Sequence, residues 1–129
     1  MYRFLFSIAL GGALGALLRY GVSGLVYKWL EGIFPYGTLT VNVLGSFFIG
    51  LFWPFFQKTT LSPEWRAFVL IGTLGAFTTF STFSLETLQL LQDGEWKLSL
   101  LNLILNVVLA LFAVFIGFWL ARTTLSLLK

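Results

Sequence analysis

Gly72-Thr73-Leu74-Gly75-Ala76-Phe77-Thr78-Thr79-Phe80-Ser81-Thr82-Phe83-Ser84-Leu85-Glu86 is the stretch on which the reading of this chain turns. It lies inside a longer apolar run, from about Trp65 to Leu91, and a helix of about 20 residues is enough to cross a bilayer. Yet it holds six hydroxyl residues and two glycines. Hydroxyl side chains compete with a helix for its backbone partners, and glycine weakens it. This composition predicts a spanning helix broken near mid-membrane, between Gly75 and Thr79. Such breaks are tolerated at membrane depth where the released carbonyls line a cavity or meet a cation. The carbonyls of Gly75 and Thr78 are therefore candidates to hold a hard monovalent cation such as sodium. Close helix packing through small residues is the competing account of the same positions.

Working outward, three more segments are long and apolar enough to span, at about residues 4–27, 36–56 and 98–121, with the broken one at 65–91. Ser62 and Pro63 suit the cap and first turn of the third span, and Asp93-Gly94 marks the turn before the fourth. Trp29, Trp53, Trp65, Trp96 and Trp119 fall near the span ends, where amphipathic rings favour the headgroup layer. With 58% hydrophobic and 10% charged residues, the chain could not cover a watery surface, since soluble domains carry roughly a quarter charged. The expectation is an all-α integral membrane protein, a single four-span domain over residues 1–129 with both ends on one side. Arg3 before an apolar stretch and the small residues Ala13 to Ala16 also fit a secretory leader. The apolar pattern resumes after Arg19 and runs to Tyr27, which favours a retained full-length span.

Cysteine and histidine are both absent, which removes thiolate chemistry, the commonest general base and the Ser-His and Cys-His catalytic pairs. An enzyme is not expected. The net charge of +3 contains no basic run, so nucleic acid is not an expected partner. Arg3, Lys58, Arg66, Arg122 and Lys129 flank one side, and Lys28 and Lys97 the other. That count leans toward cytoplasmic termini.

Polar side chains at membrane depth usually face protein or water. Thr38 and Asn42 share one helical face, as do Ser99, Asn102 and Asn106. Phe80 and Phe83 lie three apart among hydroxyls rather than among lipid-like residues. An aromatic ring carries a positive edge, so paired edges can attract a small anion without offering it a formal charge. The Asn42 amide and the Ser81 and Thr82 hydroxyls can donate hydrogen bonds to the same ion. Ordinary packing is the alternative for two phenylalanines among fifteen. Arg19 fits either a vestibule that draws anions inward or a snorkelling partner for Glu86. Gly11, Gly12 and Gly15 form a small-residue face suited to close helix contact.

Three strings taken together, Gly11-Gly12 through Gly15-Ala16 to Arg19-Tyr20, Gly37-Thr38-Leu39-Thr40-Val41-Asn42 to Gly45-Ser46-Phe47, and Gly75 to Ser84 with Glu86, resemble the Fluc or CrcB fluoride channels over nearly the whole chain. The resemblance implies an antiparallel, dual-topology homodimer in the bacterial plasma (inner) membrane, with two fluoride pathways that reduce fluoride toxicity by passive export. It implies Asn42, Phe80 and Phe83 lining the path with Ser81 and Thr82 as polar neighbours, and a structural, non-transported sodium at Gly75 and Thr78. Thr38, Asn102 and Asn106 extend the expected polar track, and Arg19 and Glu86 remain vestibule or structural candidates. Small four-span drug exporters share the size but rely on a first-helix carboxylate, where this chain has Arg19 and no acid. A non-conducting assembly subunit is the other alternative.

Overall fold

The computed structural model describes residues 1–127; Lys129, counted above for orientation, lies outside them. Among the described residues, four helical segments are long and apolar enough to cross a membrane. The first, second and fourth are continuous: α1 (Tyr2–Trp29), α2 (Tyr36–Lys58) and α5 (Trp96–Leu127). Each continuous helix runs past its apolar core at one or both ends, α5 as far as Leu127. Thr123 and Thr124 there donate to the carbonyls of Trp119 and Leu120, four residues back. Hydroxyls placed this way bond within the helix and let it continue into the polar layer.

The third span is broken. Its first half, α3, covers residues 63–77: a turn of α-helix at Pro63–Arg66, a π-helical stretch at Ala67–Leu74 and a last turn at Gly75–Phe77. Ser62 caps it by accepting from the Trp65 N–H, with Pro63 in the first turn. Thr78 (φ −81°, ψ 157°) and Thr79 (φ −150°, ψ 114°) are extended. The helix restarts as α4 (Phe80–Gln92), capped by the Thr79 hydroxyl, which accepts from the Thr82 N–H at 3.1 Å. The break thus falls at the end of the segment where it was expected, and for the expected reason: threonine oxygens stand in for lost helix bonds. The π stretch is a feature the composition did not suggest. Within it the Thr73 hydroxyl donates to the Phe68 carbonyl, five residues back.

Lipid tails are as apolar as leucine, so helices in a bilayer associate through close packing and hydrogen bonds rather than by hiding from water. Glycine supplies the close packing. α1 crosses α3 where Gly11 meets Gly72 and Gly15 meets Thr73: a Cβ on Gly11 would collide with the Phe68 carbonyl oxygen, one on Gly15 with that of Thr73, and one on Gly72 would stand 2.8 Å from the Gly11 Cα. α2 packs along α5, and its closest approach is again glycine on backbone, Gly50 against the Val114 oxygen and Gly117 against that of Phe47. Gly12, expected on the same face as Gly11 and Gly15, meets nothing within 4 Å. Gly94, at φ +81°, makes the turn from α4 into α5, a conformation that L side chains rarely adopt.

Candidate functional site

α2, α4 and α5 converge on the break, and the side chains facing one another there are amides and hydroxyls. The Asn42 side chain takes the place of the missing helix bonds. Its Oδ1 accepts the Thr79 N–H at 2.8 Å, and its Nδ2 donates to the Thr79 carbonyl at 3.1 Å. A continuous helix would send the Thr79 N–H to the Gly75 carbonyl; Asn42 takes it instead and leaves that carbonyl without its helical partner.

Asn42 Nδ2 also donates to Asn106 Oδ1 at 2.9 Å, Asn106 Nδ2 donates to Asn102 Oδ1 at 2.8 Å, and Asn102 Nδ2 donates to the Thr87 hydroxyl at 2.9 Å. The Thr87 hydroxyl in turn donates to the Phe83 carbonyl at 2.7 Å, and the Ser99 hydroxyl donates to the Thr87 carbonyl at 2.8 Å. Asn102 is fully buried and Asn106 nearly so. Polar groups so enclosed are costly unless bonded, and here each amide is held by the next.

Beside this series lies a cavity of about 430 Å³, lined among others by Asn42, Ser46, Gly75, Thr78, Phe80 and Phe83, with Asn106 on its α5 side. The Phe80 and Phe83 rings meet edge-on, centroids 5.3 Å apart and planes at 65°. Phe83 is buried, whereas Phe80 is 77% exposed on the single chain. Gly45 lets the break come this close to α2, since a Cβ there would collide with Thr78 Cγ2. The cavity therefore combines aromatic rings, amides and hydroxyl residues, with no formal charge among its lining residues. Hard oxygens such as the Gly75 and Thr78 carbonyls suit a monovalent cation, and both residues line the space.

Of the residues singled out in the sequence, Asn42, Asn106, Phe80, Phe83, Gly75 and Thr78 come together on this cavity. Asn102 stands behind Asn106, out of the cavity. Ser81 and Thr82 are exposed beside it, both within reach of the Thr79 hydroxyl, at 3.3 and 3.0 Å. Thr38 is buried and belongs to a different group: it donates to Glu86 Oε1 at 2.8 Å, and the Tyr27 hydroxyl is 3.4 Å from the same oxygen. Glu86 thus takes hydroxyl partners from α1 and α2, and Arg19, the alternative suggested by charge, does not bond it; its Oε2 is buried without a partner. Tyr27 and Glu86 line a second cavity of about 400 Å³ with Asp93, near the α1–α2 connection. Arg19 sits half-buried on α1.

Two positions of this polar region were not among the candidates read from the sequence. Ser46 lies four residues after Asn42 on the cavity wall, and that spacing was the available signal. Thr87 looks like any hydroxyl near a helix end, and only the approach of α5 gives it Asn102 as a partner.

The model of the family described as "CrcB-like protein, Camphor Resistance (CrcB)" matches residues 6–118. A protein of Magnetococcus marinus named "Fluoride-specific ion channel FluC" is 53% identical over 116 residues, covering 89% of this chain and 94% of its own length. Proteins of the same name from Shewanella denitrificans and Shewanella sp. (strain W3-18-1) are 52% and 50% identical over 110 residues, covering 85% of this chain and 89% of theirs. On a match that takes in all four spans and the break with its amide neighbours, this chain belongs to the CrcB family.

Proposed function

We propose that this multi-pass membrane protein is a fluoride-specific ion channel that lets fluoride leave the cytoplasm passively. The observation that carries the reading is the cavity at the break, which Phe80, Phe83, Asn42 and Asn106 line together and whose lining has no charge. A small, strongly hydrated anion gives up water only if fixed dipoles replace it. Ring edges and amide or hydroxyl donors do so, while a fixed cation would bind the ion too tightly to release it. Both Asn42 N–H groups already have acceptors, Thr79 O and Asn106 Oδ1. A fluoride at the rings would draw one of them away and leave the other holding the break. Hydrogen fluoride enters cells as a neutral acid and dissociates in the more alkaline cytoplasm, so a passive path lets the membrane potential expel the anion.

The pathway is completed by a second copy. Phe80 is 77% exposed, and Ser81 and Thr82 beside it are exposed hydroxyl residues within a spanning segment. Lipid is a poor neighbour for such a face, and the same face of another protomer is a good one. An antiparallel homodimer in the bacterial plasma membrane, with two pores, agrees with this, although five basic flanking residues on one side against two on the other lean toward a single orientation. The carbonyls of Gly75 and Thr78 would hold a structural sodium where the dimer closes, supplying positive charge that keeps facing carbonyls from repelling one another.

Fluoride efflux from liposomes containing the purified full-length chain, read with a fluoride electrode, tests the function. The expected result is rapid release driven by a potassium diffusion potential. Release that needs a proton gradient would point to a transporter, and no release to a non-conducting subunit. For the cation, exchanging sodium for a bulky organic cation is expected to lower the melting temperature in detergent. An unchanged melting temperature would count against a bound sodium.

A further inference from the structure

We infer that Thr87 is a positioning residue, whose hydroxyl orients the Asn102 amide and, through Asn102 and Asn106, steadies the Asn42 amide that holds the helix break at Thr79. An asparagine amide can turn over, exchanging its donor and acceptor ends at almost no cost in shape. In this series the choice is made by the two ends and, between them, by the Asn102 main-chain carbonyl, which accepts from Asn106 Nδ2 at 3.1 Å. The Phe83 carbonyl can only accept, so the Thr87 hydrogen points to it and the Thr87 oxygen is left to accept from Asn102 Nδ2. The Thr79 N–H can only donate, so Asn42 must present Oδ1 to it. Between these ends every bond runs in the same sense, from Asn42 through Asn106 and Asn102 to Thr87. Turning one amide over would set oxygen against oxygen on one side and N–H against N–H on the other.

Asn102 is 0% exposed, so water cannot replace a lost partner. Without the Thr87 hydroxyl, Asn102 Nδ2 loses this acceptor in a buried site, and the amide rotates in search of another. That rotation takes Oδ1 away from Asn106, whose Nδ2 keeps only the longer bond to the Asn102 main-chain carbonyl, and the loosening passes along the series because bonds in such chains strengthen one another. The Thr79 N–H, on the far side of the cavity rings from Thr87 in sequence, is where the effect emerges. Ser99 is a built-in contrast: it also ties α5 to α4 by bonding the Thr87 carbonyl, but it stands outside the series of amides.

The proposal deepens the fluoride reading and rests on it only for flux, so its test begins with a readout that needs no transport. Hydrogen exchange at the Thr79 N–H is followed by NMR in the full chain labelled with ¹⁵N-threonine, in micelles. Thr87→Val, which keeps the shape and removes the hydroxyl, is expected to speed exchange at Thr79 by about tenfold, the effect of one buried bond lost. Thr87→Ser is expected to remain within about twofold of the native rate, and Ser99→Ala likewise. Fluoride efflux should follow the same order, reduced about tenfold in Thr87→Val and restored in Thr87→Ser. Unchanged exchange in Thr87→Val would overturn the proposal. So would Ser99→Ala acting as strongly as Thr87→Val, since both would then merely loosen α4 from α5. Should Thr87→Val not fold, Thr87→Ser still decides, because exchange much faster than native with the hydroxyl retained would contradict the assigned role. Altered exchange together with absent flux in the native chain would leave the amide series standing and remove the fluoride reading.

Discussion

The two helix crossings on either side of α2 solve the same problem with different chemistry. On one side α1 meets α3 through Gly11, Gly15 and Gly72, backbone against backbone with no polar side chain at the closest contact. On the other, α2 and α5 meet α4 through Asn42, Asn102, Asn106 and Thr87, which are bonded to one another. In lipid both are legitimate glues. The glycine crossing leaves no room for an ion and no reason for one to enter. The amide crossing leaves donors, acceptors and two aromatic rings beside a cavity. One side of the molecule holds the bundle together, and the other holds it open.

That contrast can be broken most forcefully at Asn42. Asn42→Asp places a carboxyl where an amide now bonds both the N–H and the carbonyl of Thr79. A charged group at membrane depth costs about 3 kcal/mol, so fluoride flux is expected to fall more than about a hundredfold while the protein still purifies in folded form. Flux within a few-fold of native would remove Asn42 from the path.

The glycine side should respond in stability instead. Gly11→Ala drives a methyl into the Phe68 carbonyl, and overpacking of this kind costs about 2 kcal/mol. Thermal unfolding in detergent should show the loss, with flux per folded protein preserved. If flux fell while stability held, the division between the two sides would be wrong.

A smaller effect is expected at the rings. Phe80→Ile or Phe83→Ile removes the positive edges while keeping bulk, and an aromatic interaction worth about 1 kcal/mol translates into a five- to tenfold loss of fluoride flux. Gel filtration should show an unaltered elution volume. Equal flux in both variants would mean that the rings only fill space.

Least of all should happen at Gly12. Nothing lies within 4 Å of a Cβ built there, so Gly12→Ala should change stability by less than about 0.5 kcal/mol. A large loss would indicate that a second protomer packs on that face.

What the sequence determines by itself is the solvent and the number of crossings. Long apolar runs, so few charges and tryptophans near the run ends admit little but a bundle in lipid, because hydrophobic length and charge scarcity act through local composition. The break was also legible, since threonine and glycine undo a helix through their own and adjacent backbone groups, and it falls at Thr78–Thr79. Individual partners were not. Thr38 and Asn42 share a face by spacing, yet Thr38 bonds Glu86 and Asn42 bonds Thr79, because helix axes cross and successive turns of one face meet different neighbours. Glu86 takes hydroxyls rather than the Arg19 that charge alone suggested. Thr87 acquires its role only when α5 folds back on α4. Residues far apart in the chain become partners through the angle and register at which helices pack, and those follow from which glycines allow backbones to touch, a property of pairs of helices rather than of either one alone.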